Sequence, residues 1–223
     1  MTEKTLSNLK LVGTTTASGG RFANVKVTGE AVLAGDTECR QLTCMGNIEV
    51  KGDLRADNVK LTGECRVGGS LKAGRIHAVG DIQVAGAVHG DRIRWTGSVR
   101  VQGDCDAEAL LVSGAIAADG LVNAEDVQIR MHGPCRAKEV GGGTITVKRS
   151  RAVAVKSLFM PKGIIAMTAD LIEGDTVILE HTRAAVVRGN RVTLGIGCEI
   201  GRVEYRDTLE VGSKALVKEK VRL

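Results

Sequence analysis

Residues 46–52 read Gly46-Asn-Ile-Glu-Val-Lys-Gly52, and residues 80–86 read Gly80-Asp-Ile-Gln-Val-Ala-Gly86, two copies of one pattern spaced by a multiple of 17. Gly29, Gly46, Gly63, Gly80, Gly97 and Gly114 keep that period of 17, and Gly35, Gly52, Gly69, Gly86, Gly103 and Gly120 repeat it six residues later. A fixed period of this size marks a repeat architecture, and it is sought before local structure.

Between the glycines, apolar residues fall into six columns with the same period. After each first-series glycine come Ile48 and Val50, then Leu54 and Ala56, then Val59 and Leu61, and their equivalents 17 residues apart. Of the 36 column positions, 34 are apolar, the exceptions being Thr37 and Gly90. The residue between paired columns, such as Glu49, Arg55 or Lys60, is mostly polar. Apolar and polar residues alternating with period two mark strands with one buried face. Each unit of about 17 residues therefore holds three short strands joined at glycine corners. A single such coil cannot bury its inner face, but stacked coils can. The fold class is all-β, a parallel β-helix solenoid.

The columns extend backward through Val25 and Val27 to Leu9 and Leu11 and falter after Ile129. Alternation resumes at Val177 and Leu179, Val192 and Leu194, and Leu209 and Val211. The sequence thus predicts a short tail at 1–8, a first helical block at 9–130, an irregular basic interruption at 131–169, a second block at 170–217 and a tail at 218–223. The second block is either a continuation of the first rod or a separate lobe.

These glycine-cornered units resemble the bactofilin family of polymer-forming bacterial cytoskeletal proteins, well over Leu9 to Ile129 and less well over Asp170 to Val217. The resemblance implies a right-handed β-helix that assembles end to end into filaments without nucleotide, a homopolymer in the cytoplasm, often at the inner surface of the cell membrane and in contact with other scaffold proteins. It differs from the usual family pattern in its short N-terminal tail and its second repeat block.

The composition agrees with a narrow core rich in turns. Glycine supplies 29 of 223 residues, proline 2, and aromatics 2%; the glycine share is roughly twice the average. The formal charge of +5 comes from 31 basic and 26 acidic residues. The excess gathers between Arg136 and Lys162, where seven cations meet only Glu139. Basic residues spread over a face and interleaved with aromatics would indicate a nucleic-acid partner. The net excess is local and the aromatics are only Phe22, Trp95, Phe159 and Tyr205, so no nucleic acid is expected. No N-terminal signal segment and no apolar run of membrane-spanning length occur.

The search for catalytic chemistry returns little. Cys39, Cys44, Cys65 and Cys105 fall on inward columns and read as small core residues, while Cys135 and Cys198 lie in poorer register. His77, His89, His132 and His181 do not converge in the pattern, and a zinc site needs three or four ligands together. No phosphate loop of the form GxxxxGK[ST] appears. No enzyme, cofactor, metal or small-molecule substrate is therefore expected. The alternative is a β-helical acyltransferase, suggested by the hexapeptide-like turn Leu194-Gly-Ile-Gly-Cys-Glu-Ile-Gly201. Against it stand the period of 17, where three hexapeptides give 18, and the lack of a substrate domain. Trp95 reads as a core plug opposite small residues.

Two surfaces are singled out. Terminal coils expose backbone groups and core edges, which assigns a polymerisation interface to Leu9 and Leu11 at one end and to Leu209, Val211, Leu216 and Val217 at the other. In the interruption, Lys148, Arg149, Arg151 and Lys156 lie near the apolar Leu158, Phe159 and Met160, a combination suited to an anionic membrane surface or a partner. Ordinary solvated strand is the competing reading of that segment.

Overall fold

A computed structural model describes residues 6–150 and 165–223. All regular structure among them is strand, in twelve elements, β1 (Leu9–Val50), β2 (Leu54–Val67), β3 (Leu71–Val84), β4 (Val88–Val101), β5 (Cys105–Ala118), β6 (Leu121–Met131), β7 (Cys135–Arg136), β8 (Glu139–Arg149), β9 (Met167–Leu179), β10 (Thr182–Leu194), β11 (Glu199–Val211) and β12 (Leu216–Arg222). All pairing is parallel, as a β-solenoid requires. No helix among the described residues is long and apolar enough to cross a membrane. The chain divides into two compact units, residues 1–103 and 104–223.

From Thr37 to Val101 unit 1 keeps a 17-residue step, after a step of 16 that sets Gly29 on Gly13: Leu54 pairs with Leu71 and Leu71 with Val88, and Val50, Val67, Val84 and Val101 follow one another in the same way. Every rung therefore stacks like residue on like residue. The inward columns are closed to solvent, with Leu33, Leu42, Leu54, Leu71, Ile93 and Trp95 fully buried. Thr37, one of the two polar exceptions, is buried as well and donates its hydroxyl to the carbonyl of Gly35. Trp95 fills the core beside Ala78, with its indole N–H unpartnered.

The two glycine columns have different physical causes. Gly46 and Gly63 both sit at φ +124°, and a β-carbon on either would lie 2.1 Å from the carbonyl oxygen of the glycine one rung before. No other residue fits a corner where backbone meets backbone so closely. At the second corner the missing side chain makes room for a neighbour's. A β-carbon on Gly52 would lie 2.1 Å from Asp36 Oδ1, and one on Gly69 equally close to Asp53 Oδ1. Those carboxylates use the space to cap the next rung. Asp36 accepts from the Asp53 N–H at 2.9 Å, Asp53 from Ser70 at 2.8 Å, and Ser70 Oγ from Ala87 at 3.2 Å. The same cap recurs in unit 2, where Asp104 accepts from the Leu121 N–H at 2.8 Å. A corner donor that would otherwise lack a ladder partner is satisfied each time.

Unit 2 varies its step. Cys105 pairs with Val122, Leu121 with Glu139, and Glu139 with Leu171, successive steps of 17, 18 and 32. Met167 then pairs with Thr182, a step of 15, and β10 meets β11 with a step of 16 that becomes 17 after a bulge between Gly189 and Arg191. The core continues through these changes, with Leu110, Ile116, Ile129, Met131, Ile145 and Met167 buried. Within the expected interruption, β7 and β8 continue the parallel ladder, and residues 151–164 lie outside the described residues. Val147, in β8, is an ordinary buried strand residue paired with Ile129 and Leu179.

Candidate assembly surfaces

At the N-terminal end, β1 begins at Leu9, which is half-buried, and Leu11 is buried to 7% exposure. Val12, beside it, is 61% exposed. The rung is tied to the next by the Ala23 N–H to Ser7 carbonyl bond and by Asn24 Nδ2 donating to Asn8 Oδ1. From Leu11 to Gly20 the chain carries no charge, and the buried hydroxyl of Thr15 has no partner. A strand edge with neither charges nor proline lacks the usual protection against pairing.

At the other end, β12 pairs with β11 from Leu216 opposite Glu199 to Arg222 opposite Tyr205. The strand thus continues into residues 218–222, where a tail is expected. Among the described residues nothing pairs beyond β12, nor beyond the later half of β11, so Leu209, Val211, Leu216 and Val217 all lie on the outermost rung. Leu216 is 69% exposed, Leu223 is exposed, and Leu209, Val211 and Val217 are half-buried. Here the sequence reading missed a residue that matters. Lys220 takes the register position of Val203, Val187 and Ile172, an inward column of the core. A charge in a core column on an end rung is one of the devices that discourage further pairing. Its signal was the period of 17 carried from Val203.

Of the basic group, Lys148 is exposed on β8 and Arg149 is half-buried at its end. Arg149 donates from Nη2 to the Ile165 carbonyl at 2.7 Å, its Nε is buried without a partner, and burial lowers the pKa of its guanidinium. Its guanidinium is thus tied to the backbone at Ile165. Arg151, Lys156, Leu158, Phe159 and Met160 lie outside the described residues.

The groups that could carry chemistry are dispersed or shut away. All six cysteines are free and buried. Burial pushes the Cys39, Cys44 and Cys135 thiols up to about 11 and those of Cys65 and Cys105 to about 12. Among the described residues no group of three or more His, Cys, Asp or Glu side chains is placed to hold a metal ion. His77 and His89 are exposed, and His132 lies 3.3 Å from the Ser113 hydroxyl. His181 turns a corner at φ +48°, and burial followed by the nearby Arg149 lowers its pKa. The hexapeptide-like turn at 194–201 packs Gly197, at φ +74°, against the His181 ring.

No profile of a known protein family matches the chain. No solved structure matches it either. It is 54% identical to the uncharacterized protein YhbF of Bacillus subtilis (strain 168) over 236 aligned positions, which cover 98% of this chain and 98% of that protein. It is 35% identical to the uncharacterized protein YhbE of the same organism over 104 positions, covering 46% of this chain and 43% of that one. Full-length likeness to the first places the relationship beyond a shared repeat pattern: the chain belongs to the family of YhbF.

Proposed function

We propose that this protein is a non-enzymatic, polymer-forming scaffold that assembles without nucleotide by stacking solenoid ends. The observation that carries the reading is the state of the two end rungs. Val12, Leu216 and Leu223, three of the six large apolar side chains exposed among the described residues, lie on them, and both rungs leave strand edges unpaired among those residues. An added rung has a model inside the protein, since β2 and β3 pair over the whole length from Leu54 to Val67. Joining one end rung to another would repeat that ladder and cover the apolar edges. The resemblance to bactofilins supports the same reading and, with it, a cytoplasmic place for the polymer. The two ends differ, however. The N-terminal rung carries Lys10 outward and no charge from Leu11 to Gly20, whereas Lys220 sets a charge in the core column of the C-terminal rung.

Electron microscopy and light scattering of the purified chain without nucleotide test the proposal. Filaments are expected from the wild type. Val12→Lys, at a position too exposed to disturb the core, should suppress them, and Leu11→Asp should do so more completely. Lys220→Leu should lengthen them. A wild type that stays monomeric at every concentration, or assembly that ignores both N-terminal substitutions, would rule the scheme out.

A further inference from the structure

The three sides of unit 1 differ in charge. On one of them, formed by residues 24–28, 41–45, 58–62, 75–79 and 92–96, the outward positions hold Lys26, Lys60, Arg75, His77, Arg92 and Arg94 and not one aspartate or glutamate. All six are exposed, and none of the five Lys and Arg residues has an ion-pair partner among the described residues. The other two sides contain their own pairs, Arg21 with Glu38, Lys51 with Glu49 and Arg66 with Glu64. Carboxylates appear only at its corners, Asp57 and Asp91 before it and Glu30, Glu64 and Asp81 after it. Two of the exposed large apolar residues, Met45 and Val79, stand on this side among the cations. An uncompensated field of one sign is costly to keep for solubility alone and points to an anionic counterpart.

Such a counterpart exists on the same chain. In unit 2 a groove of about 530 Å³ is lined by Glu125, Glu139, Glu173 and Asp175. Gly141, Gly142, Gly143, Gly174 and Gly189 line it as well. Arg188 and Arg206 also line it, but Arg188 is committed to Glu173 at 2.9 Å and to Glu204 at 2.6 Å. Asp175 accepts from Asn190 Nδ2 at 2.8 Å and has no cation. Glu125 and Glu139 have no ion pair among the described residues.

We propose that the basic side of one copy docks into the acidic groove of a second copy and so joins solenoids side by side. Each surface is a parallel ladder with rungs about 4.8 Å apart. The cations, at one to two per rung over the three successive rungs of Lys60, Arg75 with His77, and Arg92 with Arg94, and the carboxylates opposite therefore stay in step, which a partner of unrelated repeat would not. The long arginine and lysine stems can reach into the groove toward its carboxylates. Because the two patches differ, the contact is heterologous and can continue from copy to copy. Side-by-side contact does not depend on end stacking: it is read as bundle width, whereas stacking is read as filament length, so either can fail alone.

The test is a charge exchange. One variant carries Arg75→Glu, Arg92→Glu and Arg94→Glu, the other Glu125→Lys, Glu139→Lys and Asp175→Lys, and circular dichroism confirms that both are folded. Wild type should associate laterally at low salt and separate as the screening length falls from about 10 Å at 0.1 M to about 3 Å at 1 M. Each variant alone should lose lateral association, and an equimolar mixture should regain it, since every repulsive pair then has an attractive alternative. Arg94→Glu alone should weaken it in part. Wild type that never associates laterally, a basic-side variant that does so normally, or a mixture that fails to recover would each overturn the proposal. The last result, joined to lost pelleting with phosphatidylglycerol vesicles or lost single-stranded DNA binding, would reassign the basic side to that polyanion.

Discussion

Two glycines of unit 1 separate conformational strain from steric exclusion. Gly35 has φ +138° and open space where a β-carbon would go, while Gly63 has φ +124° and the Gly46 carbonyl oxygen 2.1 Å from that position. Gly35→Ala therefore carries only the cost of an unfavourable backbone region, about 1–3 kcal/mol. Gly63→Ala carries the same cost and must also move two rungs apart by roughly an ångström. The ladder on both sides resists that movement, since Gly63 pairs with Gly46 before it and Gly80 after it. Overpacking of a rigid site adds about 1–3 kcal/mol. Both substitutions narrow the unfolded chain equally, a stabilising effect of about 0.4–1 kcal/mol that cancels in the comparison. Gly63→Ala should thus lose about 1–3 kcal/mol more than Gly35→Ala in urea denaturation followed by circular dichroism. Equal losses, or a Gly63→Ala variant within about 1 kcal/mol of wild type, would show that the glycine column is not held by backbone-to-backbone contact.

Two further outcomes follow from the titrating groups. With thiols pushed up to about 11 and 12, fewer than about one in a hundred is ionised at pH 8, so native protein should resist a disulfide reagent that modifies all six cysteines in denaturant; rapid labelling of the native protein would contradict the buried assignment. Glu204 accepts from Arg188 at 2.6 Å and lies 2.9 Å from Arg202, and the Arg188 hydrogen bond, against the opposing pull of desolvation, holds its carboxyl below the ordinary range. The unfolded chain then binds the proton more tightly, so this contribution to stability is present at neutral pH and is lost as pH falls through the folded value. The stability of Glu204→Gln should vary less with pH below 5 than that of wild type, as read from thermal denaturation across that range, and an unchanged pH dependence would remove Glu204 from the cause.

The fold was legible because a solenoid writes its contacts into its period. Val50, Val67 and Val84 are neighbours in space for the same reason that they are 17 apart in sequence, so counting located the core. Where counting lost its step the reading lost the structure. β8 was legible only as the competing reading of its segment because it follows β6 by 18 and precedes β9 by 32, which breaks the phase while the alternation of Val140, Ile145 and Val147 survives. The caps at Asp36, Asp53 and Asp104 were unreadable for another reason: an aspartate that accepts from the next rung's backbone looks in sequence like any outward polar residue. The charge pattern was accessible but was summed along the chain, where 31 cations nearly balance 26 anions. Summed down the columns instead, Lys60, His77 and Arg94 fall into one file, and Lys220 falls into the file of Val203. In a repeat protein the column is the physical neighbourhood, and electrostatics has to be read in the same direction as packing. The two surfaces proposed for assembly, an end rung with an apolar edge and a basic side without ion pairs among the described residues, are both features of columns that no local motif contains.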